Sequence, residues 1–291
     1  MELLLQQIAN GLVVGSTYAV VAIGFALVFT VMRVVNLAHP DIMMLATFLV
    51  IGMTTAFSDN LFVVVPSVLV AGMLAGLLIE RGILRQLRGR ALLMPMIGTA
   101  GVSALLQNGM AGFVGADPRA FPTLIPQQTL SVGTLALSLA QVVTITVAAL
   151  MMIIVSFYVR GTSWGRATRA LGENADVAAA FGVDVNRVAQ ITVALSTAMA
   201  ALAGLTLGSL YQITTPYIAM TYTLKSSICM LVAGNRQIEG VIVVGLLLGI
   251  VESLVTAYLT SSLRDAVAFG VLIVVLYVRP GGLFGSYAGI D

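Results

Sequence analysis

The chain has 291 residues, 59% of them hydrophobic and 9% charged, with a formal net charge of +2 and a mean hydropathy of +1.05. A soluble domain carries about a quarter charged residues, and this chain has too few to cover a water-exposed surface, so lipid must cover much of it. The small net charge gives no basis for nucleic-acid binding, and a single cysteine, Cys229, excludes an internal disulfide.

A bilayer span needs about 20 largely apolar residues. Gly11 to Met32 supplies the first without a charge. The start, Met1-Glu2-Leu3, has neither a basic n-region nor a small-residue cleavage site, so this segment reads as a retained span and not a signal peptide. Largely apolar runs at 10–32, 42–58, 61–79, 92–114, 135–159, 188–210, 222–234, 238–259 and 266–279 predict the spans. The last three are short and close together, so a broken or re-entrant helix is an alternative there. The expectation is an all-α polytopic bundle of about eight to ten helices, one membrane domain over residues 1–291. Four spans carry small residues one turn apart, Gly11/Gly15, Gly72/Gly76, Gly204/Gly208 and Gly245/Gly249, which let helix backbones approach closely in lipid.

Between the first two runs, Asn36, His39, Pro40 and Asp41 form a polar interruption. Proline disfavours a continuous helix, and backbone groups freed at depth must be buried in protein or line a cavity. A simple cytoplasmic turn and a half-helix entering a transport pathway both fit.

Orientation follows from the basic residues. With the N-terminus outside, 11 of the 14 Lys and Arg residues face the cytoplasm, and only Arg119, Lys225 and Arg264 face the other side. The cytoplasmic stretch 160–187 carries its own helix signals. Asn174 is a candidate N-cap, Asp176 sits in the first turn where the dipole favours an anion, and Ala178 to Ala180 favour helix. Gly182 suits a left-handed terminating residue, and Asp184 can cap the helix that re-enters the membrane. Val177 and Phe181 then share one face. An amphipathic helix resting on headgroups and a docking element for a cytoplasmic partner both fit this pattern.

Two charges interrupt later spans, Lys225 near the start of one and Glu252 inside another. Such groups are costly in a membrane and face a bundle interior or water. A structural ion pair is one reading, and support for a broken helix along a pathway is the other. The only lysine lies outside any phosphate-binding loop, and with one histidine and no HExxH neither a bound metal nor a cofactor is expected. No spacing suggests an intramembrane nucleophile or carboxylate pair.

The order of several short strings resembles the permeases of branched-chain amino-acid ABC importers, the LivH type. They are Gly15-Ser-Thr-Tyr18-Ala19, Asn36-Leu-Ala-His39-Pro-Asp41, Gly165-Arg166-Ala167, Ala179-Ala-Phe-Gly182-Val-Asp-Val-Asn-Arg187 and Ala201-Leu-Ala-Gly204. Pro216-Tyr217-Ile218, Leu224-Lys225, Leu248-Gly249-Ile-Val-Glu252, Arg264-Asp265-Ala-Val-Ala-Phe269 and Arg279-Pro280-Gly-Gly-Leu-Phe-Gly285 continue it over nearly the whole chain.

The resemblance implies a permease in a bacterial cytoplasmic (inner) membrane, working by alternating access. Its partners are two cytoplasmic ABC ATPase subunits, a second, related permease and an extracytoplasmic solute-binding protein. By the same resemblance the loop around Arg166, Arg169, Glu173, Asn174, Ala178, Phe181, Gly182 and Arg187 couples to the ATPases. Asn36, His39, Asp41, Lys225 and Glu252 are the candidate pathway residues. Two departures from the family pattern, His39-Pro40-Asp41 and Leu231 to Gly240, put the substrate in question. Branched-chain or other amino acids, urea, amides and small organic acids stay open. The rival is an ion-coupled carrier or channel using His39, Asp41 or Glu252.

Overall fold

The structure, a computed structural model, describes residues 2–91, 93–132, 135–234 and 238–285. Leu92 at the start of a predicted span, and Asn235, Arg236 and Gln237 in the second departure, lie outside the described residues.

Among the described residues eleven α-helices follow in chain order. The first four are α1 (Glu2–Met32), α2 (Asp41–Ala56), α3 (Leu61–Leu87) and α4 (Leu93–Val114). After α5 (Leu139–Gly161) come two short helices, α6 (Ser163–Glu173) and α7 (Ala175–Ala180). The chain then forms α8 (Val185–Tyr211), α9 (Ile218–Ala233), α10 (Ile238–Tyr258) and α11 (Arg264–Val278). Among the described residues six helices are long and apolar enough to cross a membrane: α1, α3, α5, α8, α10, and α11 with its 3-10 entry at Ser261–Leu263. Two shorter apolar helices, α2 and α9, have 16 residues each, about 24 Å at 1.5 Å per residue, less than a hydrocarbon core of ~30 Å. The all-α membrane bundle is therefore the fold.

Two boundaries differ from expectation. Residues Thr129–Val132 and Leu135–Ser138 pair as an antiparallel hairpin, so α5 begins at Leu139 and not at 135. Ser138 sets that start: its hydroxyl accepts from the Gln141 amide while the Gln141 side chain accepts from the Ser138 amide, a reciprocal cap that an apolar run does not reveal. At the other end of its span, α3 continues past Ile79 through a π-helical turn, Glu80–Leu84.

The bundle is organised around α1 and α8, each with 83% of its most apolar stretch buried, against 22% for α3 and α5 and 6% for α11. The glycine pairs explain how α1 comes to lie inside. A Cβ on Gly15 would stand 2.8 Å from the Leu246 backbone, and one on Gly245 would stand 2.8 Å from Ala19 Cα. Helices α1 and α10 thus meet backbone to backbone, the geometry that small residues permit in lipid. Gly72 and Gly76 of α3 pack on Thr197 and Ala201 of α8, and Gly204 packs on Met43 of α2. All four pairs serve packing within this one bundle.

The C-terminal string has a structural use as well. The amides of Leu283 and Phe284 donate to the carbonyls of Val232 and Ala233 at 2.7 and 3.1 Å, satisfying the end of α9.

Candidate functional site

The chain from Ser163 to Arg187 folds as two capped helices, one more than its sequence signals predict. Asn174 accepts from the amides of Asp176 and Val177 at 3.0 and 3.1 Å, Gly182 has φ of +85°, and Asp184 accepts from the amides of Asn186 and Arg187, both at 3.1 Å. The additional helix, α6, starts at Thr162, whose hydroxyl accepts from the Gly165 amide at 2.9 Å.

This loop is fastened to the bundle on three sides. Tyr158 of α5, Thr168 of α6 and Thr192 of α8 join through their hydroxyls at 3.0 to 3.3 Å. Arg33, just past the end of α1 with φ of +54°, donates to the Gly172 and Glu173 carbonyls at the end of α6. Arg169 donates to the Val159 carbonyl at 2.6 Å, and Leu171 and Ala178 are buried with Val188 and Val193 of α8.

Of the predicted loop residues, Asn174, Ala178 and Gly182 thus set the shape. Arg166, Glu173, Phe181 and Arg187 are exposed, and Arg187 pairs with Asp184 at 3.0 Å. Phe181 is 85% exposed and Val177 50%, so the shared face is uncovered among the described residues. Gly182→Pro should cost more than about 1 kcal/mol locally, because proline cannot adopt a positive φ and the hydrogen bond that the Gly182 amide donates to the Ala179 carbonyl is lost. Limited proteolysis should then cut the loop faster than in the parent.

A second set lies at the base of α3. Glu80, fully buried in the π turn, meets Arg88 at 3.4 Å, and Arg88 also donates to Asn186 Oδ1 at 3.1 Å, beside the Asp184 cap. The α3 end and the start of α8 are thereby linked at the same face. Nothing local in the sequence marks this contact, which joins residues 98 positions apart.

From Val34 to Pro40 the α1–α2 connection is buried or half-buried. Asn36 accepts from the Ala38 amide at 3.2 Å, and His39 lies 3.3 Å from Ser196 Oγ, edge-on to Phe25 at 6.2 Å. Asp41 accepts from Gln107 of α4 at 2.8 Å. The turn therefore holds α1, α2, α4 and α8 together, with the short α2 starting from it inside the protein.

The structure brings Lys225 and Glu252 into direct contact and adds residues that sequence reading did not select. Lys225 of α9 pairs with Glu252 of α10 and, at 2.8 Å, with Asp265 of α11. Glu252 also accepts from Tyr18 of α1 at 2.8 Å and from Arg264 Nε at 2.6 Å, and Arg264 donates to the Tyr18 hydroxyl at 2.8 Å. Lys225 sits 5.5 Å from the Tyr18 ring centre, and Tyr222 meets that ring edge-on at 5.7 Å. Lys225 and Arg264 balance Glu252 and Asp265, and every oxygen of the buried Glu252 has a donor, the condition for burying such charges. Four helices are clasped by this network. It does not reach His39 or Asp41, which form a separate set.

A family model described as "Branched-chain amino acid transport system / permease component" matches residues 7–276. The chain is 33% identical over 295 residues to the high-affinity branched-chain amino acid transport system permease protein LivH of Escherichia coli strain K12, covering 97% of this chain and 95% of that one. It is 32% identical to LivH of Salmonella typhimurium over the same shares, and 31% identical over 293 residues to BraD of Pseudomonas aeruginosa. No solved structure matches the chain.

Proposed function

Because this chain belongs to the branched-chain amino acid transport permease family, we propose that it forms the membrane pathway of an ATP-driven importer for branched-chain or closely related amino acids. The match of nearly the whole chain to such permeases carries this reading. The chain binds and gates, and ATP hydrolysis belongs to partner subunits. Those partners are two cytoplasmic ATPases, a second, related permease and an extracytoplasmic binding protein, in a bacterial inner membrane with the N-terminus outside.

Energy enters at residues 160–187. Phe181 and Val177 form the contact face, and Arg166, Arg169, Glu173 and Arg187 flank it with charge. What supports this is an exposed apolar pair on a loop that α1, α5 and α8 hold rigidly. Asn36 and His39 in the α1–α2 connection, with Asp41, Lys225 and Glu252 on α2, α9 and α10, flank the pathway. The family match, and the pairing of Glu252 with Lys225 inside the protein, favour the importer over an ion-coupled carrier.

Phe181→Asp tests the coupling. Placing a charge in an apolar interface is expected to abolish co-purification of the ATPases and to remove ATP-driven uptake at least ~10-fold, a loss of about 1.4 kcal/mol or more in association. Membrane insertion, read by protease protection, should be unchanged. Retained ATPase capture with normal uptake would refute the docking role.

A further inference from the structure

The charge network opens onto a cavity of about 330 Å³ walled by Tyr18, Tyr222, Lys225, Arg264 and Asp265, with Leu207, Ile213 and Ile218 as its apolar side. That volume is at the small end of the ~300–1,000 Å³ range of ligand pockets. Several groups there have capacity beyond the network. Tyr222 is 7% exposed, and its hydroxyl makes no hydrogen bond among the described residues. Arg264 uses Nε on Glu252 and Nη2 on Tyr18, leaving Nη1 without a partner among the described residues. Among the described residues Asp265 pairs with Lys225 alone, and it keeps 71% of its side chain exposed.

We propose that this cavity is a binding site for the zwitterion of an aliphatic α-amino acid, its carboxylate on Arg264 and Tyr222, its ammonium on Asp265, and its side chain against Leu207, Ile213 and Ile218. The inference rests on the permease reading and deepens it by assigning the substrate's contacts. Charge balance favours a dipolar ligand: Lys225 and Arg264 offset Glu252 and Asp265. A ligand that is neutral overall but carries both signs pairs at both ends without leaving excess charge away from water. A simple carboxylate or a simple amine leaves one end unpaired.

Ser261 also lines the cavity and Cys229 is buried, so a Ser261→Cys variant reports on the site through maleimide labelling. The probe transporter is the purified complex of permeases and ATPases without the binding protein, with subunits separated on a gel after labelling. L-Leucine at ten times its Kd should slow labelling roughly tenfold. 4-Methylpentanoate, lacking the ammonium, and 3-methylbutylamine, lacking the carboxylate, should protect far less. Adding Asp265→Asn should reverse the preference, with 4-methylpentanoate protecting better than L-leucine, a switch that a merely structural role would not produce. Tyr222→Phe should weaken protection by both. Absent protection by L-leucine, equal protection by all three compounds, or an unchanged preference in Asp265→Asn would each overturn the site. If the complex still contains ATPases and imports L-leucine in that case, the permease reading stands and only the site falls.

Discussion

Replacing Glu252 with leucine is expected to lower the stability of the detergent-solubilised protein by about 3–5 kcal/mol, the range seen when one partner of a buried ion pair is removed. Glu252 is fully buried and accepts from three side chains on three other helices. Its removal leaves Lys225 with only the exposed Asp265, and strips Tyr18 and the Arg264 Nε of their acceptor. Glu252→Gln, which keeps the shape and one carbonyl acceptor, should cost less. Lys225→Met added to Glu252→Leu should recover a large part of the loss, because the worst uncompensated charge is then gone. Denaturant midpoints of the four proteins check this. If Glu252→Leu unfolds at the parent midpoint, the network is not a stabilising clasp.

The second large effect is expected at Gly249. A Cβ there would overlap the Gly15 backbone and the Gly11 carbonyl, all main-chain atoms that no side-chain rotation can clear. Overpacking usually costs ~1–3 kcal/mol, and Gly249→Leu should reach or pass the top of that range because α1 and α10 must separate along their length. Gly270→Ala in α11 is the contrasting case, since nothing lies within 4 Å of a Cβ there. It should be neutral or stabilising by up to about 1 kcal/mol from helix propensity. Thermal unfolding in detergent distinguishes them, and equal midpoints for the two variants would refute backbone contact between α1 and α10.

How much of this could be read beforehand depends on the range of each interaction. Asn174, Gly182 and Asp184 act on neighbours two or three residues away, so their residue types alone predict where α7 starts and ends and where α8 begins. The glycine pairs were legible as close-packing faces, though not their partners, which are fixed by contacts over hundreds of residues. Lys225 and Glu252 stood out because charge is rare within apolar runs. Arg264, Asp265 and Tyr18 did not, although the first two flank a span and the third lies within one. A charge at a helix end or a tyrosine in a span is ordinary in a membrane protein, and only the fold shows that all of them converge. The π turn at Glu80–Leu84 has no local signal either: its buried glutamate is held by Arg88, which the continuation of α3 brings into reach.

The central position of α1 has a consequence for how the chain is made. It emerges before the helices it packs on, and its partner Glu252 is 234 residues behind Tyr18. At roughly 5–20 residues per second, α1 stands in the bilayer for about 12–47 s before α10 arrives. Its composition suits that delay. Ser16, Thr17 and Thr30 turn their hydroxyls onto carbonyls of their own helix, at Leu12, Val13 and Ala26. No charge lies between Leu3 and Met32. One of the two most enclosed helices is therefore also one that lipid alone can accommodate while the rest of the chain is synthesised.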